Sequence, residues 1–339
     1  MSQESTTVSV IMTVKNDPMG CGVTLESLMT QVRPPDEIVV VDGGSTDATV
    51  GVIRRFADRC GTLRLIEAPD ANIARGRNIA AAAATSRIIA STDSGCRAEP
   101  TWLSRLVQPF DDDPGVEFVA GFYRVESRSL LETVVGLATM RGQLDSVDPH
   151  TFNPSARSLA CTKTLWSRAG GWPEWLGFSE DTLFDHKVRR MAAGTPSAWR
   201  FVGDAIVAWR PRGSLRAIAR QFYNYGTGRG HTQIGAADFR YNLRNLVCVI
   251  AAAGFTLVTG WGGLLLAFLI GYFYVWTFHG KAVRIARRTG QAAAYPLCLL
   301  VMWVVLSSNL LGYWIGSWQR WRDRDRYQRT LDAYLATSG

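Results

Sequence analysis

Asp42 closes the apolar run Ile38–Val41 and is followed by Gly43, Gly44 and Ser45, within the segment EIVVVDGGSTDAT, Glu37–Thr49. Two glycines let a backbone approach a ligand closely, and a carboxylate beside them can accept hydrogen bonds from a base or a ribose. The same residues would also serve simply to end a strand and cap the next helix. Downstream, ANIARGRNIAAAAATSRIIASTDSGC, Ala71–Cys96, sets Arg75, Arg77 and Asn78 at a helix start. Their donors, with the positive end of the helix dipole, suit a nucleotide base or a diphosphate, whereas on a solvated face they would do nothing specific. That segment ends by delivering Asp93, Ser94 and Gly95 at the close of a second apolar run. A third segment, SARSLACTKTLWSRAGGWPEWLGFSEDTLFDHKVRR, Ser155–Arg190, contains the turn Gly170-Gly171-Trp172-Pro173, with Trp172 as an aromatic wall, and then Glu180-Asp181 opening a helix. A carboxylate there is held ionised by the helix N-terminus and could act as a base at neutral pH, although acidic first turns also occur for helix stability alone.

These side chains need a scaffold that brings them together. Short β-branched runs alternate with longer helical ones, the pattern of an α/β domain with a mainly parallel sheet. Strands are expected at Val8–Val14, Glu37–Val41, Leu63–Ala68 and Arg87–Thr92, with helices at Pro18–Gln31, Thr46–Cys60 and Ile73–Ala84 between them. Ligands in such sheets gather at the carboxyl ends of the strands. Thr13–Asn16, Asp42–Ser45 and Asp93–Cys96 all fall there, so three loops can line one cleft.

The chain has 339 residues, 47% of them hydrophobic and 19% charged, which excludes intrinsic disorder and low-complexity classes. The charge is unevenly spread: no Asp, Glu, Lys or Arg lies between Arg244 and Lys281, or between Arg288 and Arg320. A polar domain over 1–212 is therefore expected to be followed by an amphipathic linker over 213–244, membrane helices over 245–318 and a basic tail over 319–339. The uncharged stretch Asn245–Gly280 would be about 54 Å long as one helix against a hydrocarbon core of about 30 Å, so a turn at Gly260-Trp261-Gly262-Gly263 is expected to divide it. Tyr295–Trp318 adds a further span, giving two to three segments. Arg212–Gly230 reads as a basic amphipathic helix with a flexible glycine exit, suited to a headgroup layer. No signal peptide is evident, so the first domain is expected in the cytoplasm. Six scattered cysteines and four distant histidines argue against a disulfide framework or a zinc site. The net charge of +8 crowds around the apolar segments, favouring anionic lipid over nucleic acid, for which no binding motif is present.

Taken together, VSVIMTVKND, EIVVVDGGSTDAT, ARGRN, the DSG at the fourth strand and GGWPEWLGFSEDTLF resemble, in order and approximate spacing, the family 2 glycosyltransferases of the GT-A fold, over roughly residues 8–230. The resemblance implies a Rossmann-like α/β domain that transfers a sugar from a UDP-, GDP- or dTDP-sugar to an acceptor hydroxyl, with inversion at the anomeric carbon. It implies Thr13, Asn16 and Asp42 at the base and ribose, Arg77 nearby, and Asp93 with Ser94 at the ribose and diphosphate. Asp181 would be the general base, with Glu180, Trp172 and Gln221 on the acceptor side. The family's DxD is reduced here to Asp93-Ser94-Gly95, and Trp209 stands where some relatives place a histidine, so Asp93 alone would hold Mg2+ or Mn2+ together with waters and donor phosphates. Gln221 looks like the glutamine of the QxxRW motif of processive relatives, but Gln221-Phe222-Tyr223-Asn224-Tyr225 lacks its arginine and tryptophan, which argues against processive polymerisation. The following segments are similar to those of membrane-bound exopolysaccharide transferases of the succinoglycan type. That likeness implies a multi-pass protein of the cytoplasmic membrane, its catalytic domain facing the cytoplasm, with membrane lipids and a lipid-linked acceptor as partners. The reduced DxD also suits a catalytically silent nucleotide-sugar-binding scaffold of a polysaccharide assembly complex, against which Asp42 and Asp181 speak. A transporter is disfavoured, since the apolar segments contain no buried ionisable pair.

Overall fold

The computed structural model describes residues 6–140, 142–149, 152–192, 195 and 198–336, many of those between 238 and 277 by backbone alone. The chain divides into two compact units, one of Met1–Glu126, Val147–Arg210 and Gln328–Gly339, the other of Ser127–Ser146 and Pro211–Tyr327.

The first unit is built on an eight-stranded sheet. Strands β1 (Val8–Val14), β2 (Glu37–Asp42), β3 (Leu63–Glu67) and β4 (Ile88–Ser91) are parallel, and helices α1 (Pro18–Met29), α2 (Thr49–Ala57) and α3 (Ile73–Ala83) make the crossovers. Because helices cover both faces of such a sheet, its inner strands read as continuous apolar runs. Val10, Ile11, Met12, Val39, Val40 and Ile89 are all fully buried. After the short β5 (Cys96–Ala98), α4 (Trp102–Asp112) and β6 (Phe118–Val125) come β7 (Leu159–Thr162), α6 (Lys163–Arg168), α7 (Glu180–Met191) and β8 (Trp199–Trp209). The strand order is β3-β2-β1-β4-β7-β6-β8-β5. β7 runs antiparallel to β4 and β6, and β5 antiparallel to β8. The expected mainly parallel sheet thus describes the first half, and the whole is mixed.

In the second unit, α5 (Leu130–Thr139) buries Val134, Val135 and Ala138 with Ile285, Ala294, Cys298 and Val301. This apolar face is why residues 127–146 leave the domain drawn at 1–212, while Gln328–Gly339 returns to it. Helices α8 (Leu215–Thr232), α9 (Ala236–Thr259), α10 (Trp261–Thr289) and α11 (Ala294–Arg322) follow, and α12 (Arg324–Ala336) ends the described chain. α9 and α10 part at Gly260, whose φ of 74° is the break expected there. Among the described residues, one helix, α11, is long and apolar enough to cross a membrane.

The glycines expected to loosen the end of α8 do the reverse. Gly226, Gly228 and Gly230 are buried within the helix, and a Cβ on Gly226 would run into the Asn309 carbonyl of α11, as one on Gly312 would into the Tyr223 carbonyl of α8. Absence of side chains brings the two backbones into contact. Gly312→Ala is therefore expected to cost about 1–3 kcal/mol as an overpacked contact, since backbone cannot swing aside as a side chain can. An unfolding midpoint equal to the wild type would show that the helices have room to spare.

Candidate active site

The first loop of the site follows β1. Asn16 adopts a left-handed conformation, φ 53°, in which its amide N donates to Ser45 Oγ at 2.8 Å and its Oδ1 accepts from Thr46 N at 2.9 Å. The loop after β2 is thereby tied to the loop after β1. Asp42, only 2% exposed, accepts from Gly44 N at 3.0 Å and Ser45 N at 2.8 Å through Oδ1, while its buried Oδ2 has no hydrogen-bond partner. One oxygen shapes the glycine turn and the other is an acceptor in reserve, the state expected of a group that awaits a donor from a ligand. A Cβ on Gly43 would lie 3.0 Å from the Ala71 carbonyl, so the close passage of this loop beside residue 71 uses glycine's missing side chain. Thr13, at the end of β1, instead packs its hydroxyl against Gly76 of α3.

At the centre lies Arg77, 2% exposed, with Nη2 donating to Asp93 Oδ1 at 2.7 Å and Nη1 to Glu180 Oε1 at 2.5 Å. One guanidinium thus joins the loop just after β4 to the start of α7, whose Glu180 lies 103 residues from Arg77 in sequence. The planar fork of arginine suits this use. Burial works against its charge, but Asp93, Glu180 and Asp181 outweigh burial and hold the group protonated above its usual range. Its two terminal nitrogens each hold a carboxylate, so Arg77 acts as their counter-charge, while its buried Nε has no hydrogen-bond partner.

α3 also positions the third segment. Its cap Asn72 accepts from Arg75 N and donates to the Glu174 carbonyl at 2.7 Å. Asn78 accepts from Trp172 N at 2.8 Å and donates to the Trp172 carbonyl at 2.8 Å and to Glu174 Oε1 at 2.9 Å. Trp172 itself is 1% exposed, its ring 4.8 Å from that of Phe184 on α7. It is core packing and not the aromatic wall expected; the exposed aromatic of this segment is Phe178. Ser179, at φ 64°, precedes Glu180 in a left-handed conformation that costs a non-glycine residue about 1–3 kcal/mol and that clusters at functional sites.

Glu180 is buried, and its carboxyl is pushed up to about 7 by burial and by the adjacent Asp181 charge, against the pull of Arg77. At Glu180 desolvation therefore outweighs the helix N-terminus. Asp181, half-buried, accepts from Thr182 N at 2.8 Å. Gln221 belongs to the second unit, where it donates to Tyr225 Oη at 2.8 Å within α8.

Ser94 donates to Asp17 Oδ2 at 2.8 Å, and Asp17 caps α1 through Oδ1. A side chain on Gly95, the position of the missing second acid, would start 3.7 Å from Asp17 Oδ2. Among the described residues no group of three or more His, Cys, Asp or Glu side chains could cage an ion. With Asp93 as its one protein carboxylate, a divalent cation here would be carried mainly by phosphates and waters, as magnesium sites often are.

Residues 9–149, which hold Asp42, Arg77 and Asp93, match the family described as Glycosyl transferase family 2. The glycosyltransferase AglE of Haloferax volcanii is 32% identical over 117 residues, 34% of this chain and 38% of its own length. The uncharacterized glycosyltransferase YibD of Escherichia coli is 28% identical over 114 residues, 33% of either chain. The chain spans about a third of the length of the curated relatives it matches. Among solved structures, the mannosyltransferase PcManGT from Pyrobaculum calidifontis, in complex with GDP-Man and Mn2+, has a TM-score of 0.52 at 19% identity, covering 99% of this chain and 86% of that one. The likeness establishes the GT-A fold.

Proposed function

We propose that the chain is an inverting glycosyltransferase that takes a sugar from a nucleoside diphosphate donor. In this reading Asp42 and the Gly43–Ser45 turn receive the base and ribose, Asp93 faces the diphosphate, and Asp181 removes the proton of the acceptor hydroxyl. The acceptor oxygen bonds to the anomeric carbon on the face opposite the leaving group, the bond to the phosphate oxygen breaks, and the diphosphate departs with the electron pair. A divalent cation at Asp93, when bound, would neutralise part of the departing charge; a protein of the same fold carries GDP-Man and Mn2+. The observation that carries the reading is the Arg77 bridge between Asp93 and Glu180, which draws the strand-end carboxylate of a family 2 domain to the helix bearing Asp181. We further propose a lipid-linked acceptor presented at a membrane, for which the apolar helix α11 and the basic, aromatic α8 give support.

Thermal shift with UDP-, GDP- and dTDP-sugars, with and without Mn2+, tests the donor: a ligand that binds only the folded state raises the midpoint. Stabilisation by one donor together with sugar transfer supports the enzyme, stabilisation without hydrolysis or transfer supports the silent scaffold, and no shift with any donor overturns both. Asp42→Ala is expected to weaken nucleotide binding by about 10- to 100-fold, the worth of hydrogen bonds to a charged acceptor. Calorimetric titration giving an unchanged affinity would place the base elsewhere.

A further inference from the structure

The last turns of α12, which the sequence offers only as part of a basic tail, belong to the catalytic unit. Tyr334 Oη donates to the Gly171 carbonyl at 2.8 Å. Lys187, on α7 and 2% exposed, donates through Nζ to the Ala169 carbonyl at 2.7 Å and to the Tyr334 carbonyl, with Nζ 4.2 Å from the centre of the Tyr334 ring. A buried ammonium must be satisfied by acceptors or an aromatic face, and Tyr334 supplies one of each. Leu331, one turn earlier, is buried as well.

What this helix grips is the piece of chain that sets α7. Gly170 and Gly171 are both left-handed, at φ 73° and 68°, and lead directly into Trp172. Asn78, next to Arg77, holds Trp172 through both its N–H and its carbonyl. The turn is thus pinned on one side by α3 and on the other by Tyr334, while Lys187 pins α7 itself two turns beyond Asp181. We propose that Tyr334 and Lys187 are positioning residues for Asp181: the C-terminal helix locks the Gly170–Trp172 turn and α7 so that the base keeps its register against α3 and the donor loops. The proposal rests on the reading of Asp181 as the base.

The test uses the full chain. Tyr334→Phe deletes one hydroxyl and keeps the ring over Lys187, and Lys187→Met keeps the bulk of the stem. Each is expected to lower kcat about tenfold, within what small misplacement of a reacting group costs, with donor KM within about twofold of wild type. Amide hydrogen exchange of residues 170–174 is expected to quicken about tenfold while that of Val8–Val14 stays as in the wild type. The double variant is expected to lose less than the sum of the two single ones, because both residues hold the same helix against the Gly170–Trp172 turn and α7. Unchanged kcat with unchanged exchange overturns the lock, and so does a loss in which β1 exchanges faster by the same factor, since that is general destabilisation. The exchange readout needs no catalysis. If the wild type transfers no sugar yet the exchange at 170–174 quickens in the variants, the lock stands and it is the reading of Asp181 that falls.

Discussion

Asp181→Asn is expected to cut sugar transfer by about 10²- to 10⁴-fold, the worth of a general base, while leaving donor affinity within about twofold of wild type. The asparagine is isosteric, and its Oδ1 can keep the hydrogen bond from Thr182 N that Asp181 Oδ1 accepts at 2.8 Å. Only the capacity to take a proton is lost. In the proposed reading the donor is held by Asp42, which ends β2, and by Asp93, two residues beyond β4, and neither is bonded directly to Asp181. A second signature accompanies the first. The Asp181 charge helps push the Glu180 carboxyl up, so in the variant Glu180 is expected to titrate at lower pH, nearer the ordinary glutamate range. Steady-state transfer and donor titration on the same preparation check the first effect, and carboxyl titration followed by NMR checks the second. A variant that kept more than half of wild-type turnover would remove Asp181 from the role of base.

Much of the parallel half of the sheet is legible because its inner strands β1, β2 and β4 are buried on both faces and need no partner to be recognised. β1 is found at its expected bounds, and β2 to β4 differ at their ends by a residue or so. α2 begins at Thr49 and not Thr46 because Asn16, from the loop after β1, accepts from Thr46 N, and Asp47 accepts from Thr49 N. The strands after β4 were harder: Cys96–Ala98 is three residues long, and β7 becomes a central strand only by pairing with β4 and β6. The site divides in the same way. Asp42, Asp93 and Asp181 are visible from local pattern, each at the end of a strand or the start of a helix. Arg77 and Trp172 stand in recognisable local patterns, but what turns them inward is Glu180 in one case and Phe184 in the other, neither fixed by neighbouring sequence. Asp17 was missed although Asp17-Pro18 is a helix-start signal, and Tyr334 carried no signal at all until the chain folded back.

The Arg77 bridge makes the strongest stability prediction. Arg77→Met is expected to destabilise the protein by about 3–5 kcal/mol near pH 8, since removing one member of a buried ionic group strands its partners. Asp93 loses the donor on Oδ1 and Glu180 the donor on Oε1, with the Asp181 charge still adjacent. Lysine would not restore the arrangement, because a single ammonium cannot hold two carboxylates in the planar geometry of a guanidinium. The pH dependence has a defined sign. Glu180 titrates at about 7 in the folded protein and near 4.5 when unfolded, so between those values the folded state binds more protons and stability falls as pH rises. Without Arg77 its pull toward ionisation is gone, Glu180 stays protonated to higher pH, and the window in which stability falls with pH extends upward. The penalty of Arg77→Met is therefore expected to be smaller at pH 5, where Glu180 is neutral in either protein, than at pH 8. Adding Glu180→Gln should recover a large part of the loss at pH 8 and little at pH 5, since the amide needs no counter-charge. Denaturant unfolding of the wild type, both single variants and the double variant at the two pH values closes this cycle. A penalty below about 1 kcal/mol at pH 8, the level of an exposed ion pair, would mean that the three acidic groups are solvated well enough to do without Arg77, and the bridge would then be an incidental contact and not the joint of the site.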